Sequence, residues 1–451
     1  MYKVCKFGGS SLANAEQIRK VCDIMLSDPS RRVMVVSAPG KRTREDTKVT
    51  DLLIALANAR ISGYDGAAEL QDVLDRFGSI AAELELDAAI MADISLDMNT
   101  RLCQDCSNSL RFMDSIKAAG EDNCARLVAG YLKSIGRTAS YVDPRVAGMF
   151  LTEEYGNAQV LPEAYPLLAR LRQNPGISVF PGFFGYSKSG QVVTFSRGGS
   201  DITGSILAAA TEAQTYENWT DVDSVYSVNP ALISNPHPIM EITYDEMREL
   251  AYAGFTVLHE EALLPAYRKG IPVNIRNTNN PTARGTMIVR NRVNFDGVVT
   301  GIAGAKGFCS LNMSKYLMNR EVGFALKVLQ ILADEQISFE HMPSGIDSLS
   351  IIMRKDYFTP DKEKIITGRL VAELGIEKVS VNRNLAIVII VGEAMARTVG
   401  VTARAANALS KAGVNLEIIN QGSSEISVMF GVREEYCNYA VKELYKEFFQ
   451  R

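Results

Sequence analysis

Short apolar runs alternate with longer segments of helical period through roughly the first 295 residues, and that alternation calls for a mostly parallel sheet covered by helices. Tyr2–Phe7 and Arg32–Ser37 read as strands rich in Val and Met, each followed by a turn containing Gly or Ser and then a helical run. Helical patterns occupy Asp51–Asn58, Ala67–Leu86, Leu96–Ala118 and Asp122–Ile135. Ile177–Phe180 and Thr215–Asn218 are predicted strands, Ile202–Ala210 a helix, and Ile271–Ile275 the strand that closes the series. A chain of 451 residues is too long for one core, so further domains must follow.

Those domains are a duplication. Shifting Val322–Met353 forward by 77 positions without a gap lays Gly323 on Gly400, Leu332 on Leu409, Glu340 on Glu417, Gly345 on Gly422 and Ser350 on Ser427. The first copy has room for a further helix (Asp361–Leu374) and strand (Lys378–Val381), which makes a βαββαβ unit. The second copy runs out near Phe449, before a fourth strand. The two copies are therefore expected to interleave, with Val298–Ala303 as a shared or donated strand. The expected domains are 1–296, 297–382 and 383–451.

Charge and cysteine usage exclude several function classes. Lys plus Arg number 48 and Asp plus Glu 52, so a slightly acidic chain without basic runs is a poor nucleic-acid binder. No apolar run approaches the roughly 20 residues of a membrane span, and the N-terminus lacks the pattern of a secretory signal. Seven scattered cysteines form no disulfide framework, which points to a reducing cytoplasm. Cys103 and Cys106 alone have metal-like spacing, in a stretch read as helical, with no second pair or histidine nearby. The three histidines (His237, His259, His341) are dispersed, so no protein-borne metal site is expected.

Three segments carry chemistry. Lys6-Phe7-Gly8-Gly9-Ser10-Ser11 follows the first strand and precedes a helix, where backbone N–H groups can approach phosphate oxygens. Phe195-Ser196-Arg197-Gly198-Gly199-Ser200-Asp201 repeats that design; Arg197 offers a bidentate fork for a carboxylate, and Asp201 otherwise caps the helix. Trp219-Thr220-Asp221-Val222-Asp223-Ser224-Val225-Tyr226 lies at a strand's carboxyl end, where open α/β sheets bind ligands. Two separated glycine junctions, each with a cation, suit a reaction between two anionic substrates.

Together these segments resemble the amino-acid kinase family, and within it the aspartate kinases. Val36-Ser37-Ala38-Pro39-Gly40, Lys48-Val49-Thr50-Asp51, Gly120-Glu121-Asp122 and Gly254-Phe255-Thr256-Val257-Leu258-His259 support the resemblance, and the C-terminal repeat is similar to paired ACT domains of ferredoxin-like fold. The resemblance implies a three-layer α/β catalytic domain and transfer of a phosphoryl group from ATP to L-aspartate, giving 4-phospho-L-aspartate. The acceptor carboxylate is already ionised at neutral pH, so catalysis needs positioning and charge neutralisation more than a protein base. By the family pattern Lys6 neutralises the transferring group and Asp201 holds that lysine. Arg197, Thr50, Glu121, Gly198, Gly199 and Ser200 line the aspartate pocket, with Glu121 on the α-ammonium. Phe7, Gly8, Gly9, Ser10, Thr220, Asp221, Tyr226, Thr256 and Val257 face the nucleotide, and Mg²⁺ arrives on the ATP phosphates.

The chain departs from the family at two positions: Thr256 stands where lysine is usual, and Ala231 where arginine is usual. Lys41 and Arg42 are candidates to restore the lost charge. The ACT pair implies an end-product amino acid as effector, L-lysine ahead of L-threonine, with Met318, Phe324, Glu340, Ser344 and Asp347 as contacts. It also implies a homodimer or dimer of dimers through the repeats, and a monofunctional enzyme of lysine, threonine and methionine biosynthesis. The competing readings are other small-molecule kinases of the same fold, a catalytically dead amino-acid sensor, and a dinucleotide dehydrogenase. The last lacks a Gly-x-Gly-x-x-Gly after the first strand.

Overall fold

The computed structural model describes residues 2–196, 198–255, 260–292 and 295–450. They form two compact units: Met1–Val225 with Pro238–Met247 and Thr256–Val293, and Tyr226–His237 with Arg248–Phe255 and Asn294–Arg451.

In chain order β1 (Lys3–Phe7), α1 (Ala15–Leu26), β2 (Arg31–Val36), α2 (Val49–Ile61), α3 (Ala67–Glu83), α4 (Ala88–Leu102) and α5 (Ser109–Ser134) come first. Next are β3 (Ala139–Tyr141), α6 (Pro144–Ala147), α7 (Ala164–Leu168), β4 (Ile177–Pro181) and the hairpin β5–β6 (Phe184–Tyr186, Val192–Thr194). Then follow α8 (Gly199–Ala210), β7 (Thr215–Thr220), β8 (Val225–Tyr226), β9 (Pro238–Ile239), β10 (Glu241–Thr243), α9 (Tyr244–Tyr252), α10 (Glu260–Lys269), β11 (Val273–Asn277) and β12 (Thr286–Val289). The first unit is built on an eight-stranded sheet, β10-β12-β11-β7-β1-β2-β4-β3, parallel except where β11 meets β12. Its central strands are buried on both faces and are largely apolar, so buried polar side chains such as Lys6 in β1 and Asn218 in β7 stand out against that background. Cys5, Phe7, Met34, Val36, Val179 and Trp219 pack with helices α1 to α5 on one side. On the other side α8 lies so close to β7 that a Cβ on Gly204 would meet the Tyr216 ring at 2.6 Å.

Three expectations need correction here. The strand after Ile271 does not close the sheet, because β12 and β10 extend it; a three-residue strand such as β10 is too short to show a period. The helices expected at Leu96–Ala118 and Asp122–Ile135 divide elsewhere: α4 stops at Leu102 and α5 runs unbroken through Gly120. Asp105 takes the Ser107 N–H (2.9 Å) and Asn108 caps α5 by accepting the Arg111 N–H (3.1 Å), so the break falls at 103–108. Cys103 and Cys106 sit in that break as free thiols. Gly120 does not end a helix; a Cβ there would meet Ala38 Cβ at 2.8 Å, so close packing outweighs its weak helix propensity. Finally, α8 starts at Gly199, capped by Gly198 at φ 75°, so Asp201 lies inside the first turn rather than at the cap.

The second unit contains β13 (Gly301–Ser314), α11 (Phe324–Asp334), β14 (Ser348–Arg354), α12 (Pro360–Leu374), β15 (Lys378–Val391), α13 (Val401–Lys411), β16 (Ile418–Gln421), β17 (Ser427–Arg433) and α14 (Cys437–Phe449). The helices α11 and α13 are offset by 77 residues at both ends. One five-stranded sheet, β14-β13-β15-β17-β16, serves both copies. The two copies interleave: Phe308–Ser314 pairs with the first half of β15, and Gly301–Ala305 pairs with Ile387–Val391 in its second half, completing the copy that ends at α14. A bulge between Ala305 and Phe308 marks the handover. Among the described residues no helix is long and apolar enough to cross a membrane.

Candidate active site

A cleft of about 580 Å³ opens at the carboxyl ends of β1 and β2 in the first unit. Lys6, Gly9, Ser10, Ala38, Gly40, Thr50, Glu121, Gly198, Gly199, Ser200, Asp201 and Asp221 all line it. Residues from six separate stretches of sequence thus meet at one place.

Lys6 is 7% exposed, and its ammonium lies 2.6 Å from an Asp201 carboxylate oxygen. Asp201 reaches it because the first turn of α8 points its amides and side chains into the cleft. Gly198 caps that helix in the left-handed region, where only glycine is unstrained. An anion in the cleft would face both the Lys6 charge and a helix N-terminus. Gly9 and Gly40 bring two loops together backbone to backbone: the Gly40 N–H donates to the Gly9 carbonyl at 2.8 Å. The Gly40 loop is anchored by Arg76, which donates to the Gly40 carbonyl (2.5 Å) and pairs with Asp46 (2.6 Å).

Glu121 projects from the middle of α5 and is 6% exposed. Burial pushes its carboxyl up to about 7, against the Ala38 backbone hydrogen bond and the Lys117 and Lys6 charges, which pull it down. One of its carboxylate oxygens has no hydrogen-bond partner among the described residues. A buried unpartnered carboxylate is costly unless a cation or donor completes it.

Some candidates sit elsewhere. Phe7 is core, stacked on Trp219 with centroids 5.9 Å apart, and does not line the cleft. Gly8 stands just behind Lys6; a Cβ there would be 3.7 Å from the ammonium. Thr220 ends β7, and its hydroxyl accepts the Val222 N–H at 3.2 Å. Tyr226 is half-buried at the end of β8 and belongs to the second unit. Arg197, Thr256 and Val257 lie outside the described residues, as does His259. Lys41 lines the cleft, whereas Arg42 is held by Asp46 through two contacts of 2.9 and 3.0 Å. Among the described residues no group of three His, Cys, Asp or Glu side chains is arranged to hold a metal ion.

Ser37 and Lys48, quoted in the sequence only within supporting segments and given no role, also line the cleft, as does Phe183, which the sequence reading did not name. Phe183 has φ 73°, rare for a bulky residue, and its N–H donates to the buried Thr203 hydroxyl at 3.0 Å. Nothing local in the sequence marks that conformation. Lys48 could have been found from its place just before Thr50.

In the second unit Met318 and Phe324 are 6% and 5% exposed and belong to the hydrophobic core of their copy. Glu340 accepts a hydrogen bond from the Tyr252 hydroxyl and lies 3.6 Å from Arg354. Asp347 accepts the Leu317 N–H at 2.8 Å, and Ser344 and Gly345 form a turn closed by the Gly345 N–H to the Ser348 carbonyl (2.7 Å).

Residues 1–277 match the amino acid kinase family, and residues 388–448 match an ACT domain. The chain is 54% identical over 447 residues to aspartokinase 3 of Bacillus subtilis, covering 99% of this chain and 98% of that one. It is similar to the crystal structure of Clostridium acetobutylicum aspartate kinase, with a TM-score of 0.87, 38% identity and coverage of 99% and 100%. It is also similar to Escherichia coli aspartokinase III in complex with aspartate and ADP, with a TM-score of 0.76, 27% identity and both chains covered in full. The same E. coli protein in complex with lysine and aspartate gives a TM-score of 0.72, at 27% identity and full coverage of both chains.

Proposed function

The chain belongs to the aspartate kinases of the amino acid kinase family, and from that premise we propose how its own residues bind, react and respond to an effector. It is an ATP-dependent enzyme. The observation that carries the proposal is the Lys6–Asp201 pair in the same cleft as the buried, unpartnered Glu121. L-Aspartate places its α-ammonium on Glu121 and its α-carboxylate on Arg197, with Thr50, Ser200 and the Gly198–Gly199 backbone around it. Its side-chain carboxylate, ionised well below neutral pH, attacks the γ-phosphorus of ATP in line. Lys6 neutralises the charge on the transferring oxygens, and Asp201 fixes where that ammonium sits. Gly8, Gly9 and Ser10 follow the phosphates, and Thr220, Asp221, Thr256 and Val257 the rest of the nucleotide. Mg²⁺ enters on the ATP phosphates and shields their charge; Asp221, exposed at the cleft, suits contact with its water shell. Lys41 contributes further positive charge at the cleft mouth.

The ionisation of Glu121 gives a test of its role. With its carboxyl at about 7, the proton must leave before the substrate ammonium can bind. kcat/KM for aspartate is expected to rise about tenfold from roughly pH 6 to pH 8. Glu121→Gln should lose that rise and raise KM; a variant with unchanged KM and the same pH profile would remove Glu121 from the substrate site.

With 1–296 proposed as the catalytic domain, the interleaved repeats proposed at 297–382 and 383–451 act as the regulatory module. L-Lysine is proposed as effector, with one ammonium group on Glu340, the other near Asp347, and its carboxylate toward Ser344, above a floor of Met318 and Phe324. The E. coli relative solved with lysine supports this choice. The module also suits a homodimer or dimer of dimers, and the enzyme a cytoplasmic place at the head of lysine, threonine and methionine synthesis. ADP release from ATP·Mg²⁺ and aspartate should fall when L-lysine is added. Turnover indifferent to lysine but suppressed by L-threonine would reassign the effector.

A further inference from the structure

Asn218 is a buried side chain that the reaction scheme does not use. It lies on β7, and the parallel register of β1 and β7 sets it directly beside Lys6. Parallel neighbours in register point to the same face, here the face that α8 covers. Asn218 is 0% exposed, and its amide Nδ2 donates to Asp201 Oδ1 at 2.7 Å. That is the same oxygen that receives the Lys6 ammonium at 2.6 Å. Two residues earlier on the same face, the Tyr216 hydroxyl donates to the Asp201 carbonyl at 3.1 Å. The opposite face of β7 is locked separately: Glu217 pairs with Arg31 at 2.8 Å and with Lys3 at 3.2 Å, and accepts the Trp219 indole N–H at 3.1 Å. β7 is therefore fixed from behind while its front face grips the first turn of α8.

We propose that Asn218 is a positioning residue for phosphoryl transfer: its amide fixes the rotamer of Asp201, and Asp201 in turn aims Lys6 at the transferring phosphoryl group. The proposal rests on the reading of this cleft as the kinase site. A neutral amide suits the task because it supplies a donor and adds no charge beside Lys6. A leucine of similar volume would leave the Asp201 oxygen one donor short. An aspartate would supply a donor only while protonated.

This last point separates positioning from mere packing. Asn218→Ala should lower kcat about tenfold to a hundredfold, as expected for a displaced catalytic group, with KM for aspartate and ATP nearly unchanged. Asn218→Asp places a second carboxyl against Asp201, and one of two such groups holds its proton to unusually high pH. Below that ionisation the introduced O–H donates to Asp201 in place of the amide, so kcat should approach the wild-type value. Above it the donor is lost and a negative charge appears, so kcat should fall to the level of Asn218→Ala. The expected result is a descending limb in kcat against pH that the wild-type enzyme lacks. Asn218→Ala with kcat within twofold of wild type would overturn the proposal. So would Asn218→Asp impaired equally at every pH. Wild-type protein that never phosphorylates aspartate would instead sink the reading of the cleft itself.

Discussion

Replacing Lys6 by alanine is expected to lower kcat about a thousandfold or more, equivalent to about 4 kcal/mol of lost transition-state stabilisation. The size follows from the surroundings. Lys6 is nearly enclosed, so its charge acts on a phosphoryl group with little screening by water. Its removal also leaves Asp201 as an uncompensated carboxylate at the point where negative charge develops. Lys6→Arg should recover little of the loss. A planar guanidinium is longer and wider than an ammonium, so in the nearly enclosed space beside Asp201 it cannot place its charge where the Lys6 ammonium sits. KM for aspartate should change far less than kcat. Steady-state ADP release at saturating substrates checks this, with ADP binding as the control for folding. A tenfold effect or smaller would mean that Lys6 is not the group facing the transferred phosphoryl.

Gly40→Ala is expected to lower kcat/KM for ATP about a hundredfold, although Gly40 supplies no side chain. A Cβ there would lie 2.6 Å from the Gly9 carbonyl carbon and 2.8 Å from the Ser10 nitrogen. Those are backbone atoms, so no rotamer change relieves the clash. The two loops must part by about 0.8 Å to restore the ordinary 3.4 Å contact. That displacement falls on the phosphate cradle and breaks the Gly40 to Gly9 hydrogen bond. The Arg76 grip on the Gly40 carbonyl resists the movement, so part of the strain appears as about 1–3 kcal/mol of lost stability. Kinetics with ATP varied and a thermal melt measure the two parts. A variant with normal KM for ATP and an unchanged melting temperature would show that the loops do not need this close approach.

The parts of this account legible in the sequence are those where a local pattern and the tertiary structure agree. β1 and β2 announce themselves because strands covered on both faces are largely apolar, with Lys6 the buried cation near the end of β1. The repeat was readable because a gapless shift keeps helix, turn and strand in phase, and α11 and α13 keep that phase to the residue. The donated strand showed as the apolar run Val298–Ala303 ahead of the first copy, and β13 carries it on to pair with the second half of β15. Misreadings arose where a distant contact overruled a local tendency. Gly120 looked like a helix end until Ala38 occupied the space its side chain would need. The start of α8 was placed at Ile202 because the left-handed Gly198, three residues before Asp201, leaves no local trace of its role. Phe183 and Asn218 were invisible for a related reason. One acts through a backbone angle, the other through a cross-strand register that exists only once β1 and β7 pair.

The central claim is that this cleft moves a phosphoryl group from ATP to a carboxylate of aspartate, and the product itself can be caught. An acyl phosphate reacts with hydroxylamine to give a hydroxamate, which an ester or amine phosphate does not. Purified protein with ATP·Mg²⁺, L-aspartate and hydroxylamine should form aspartyl hydroxamate in step with ADP, and Lys6→Ala protein should form almost none. ADP released without hydroxamate, or hydroxamate formed equally by the Lys6→Ala protein, would contradict the account.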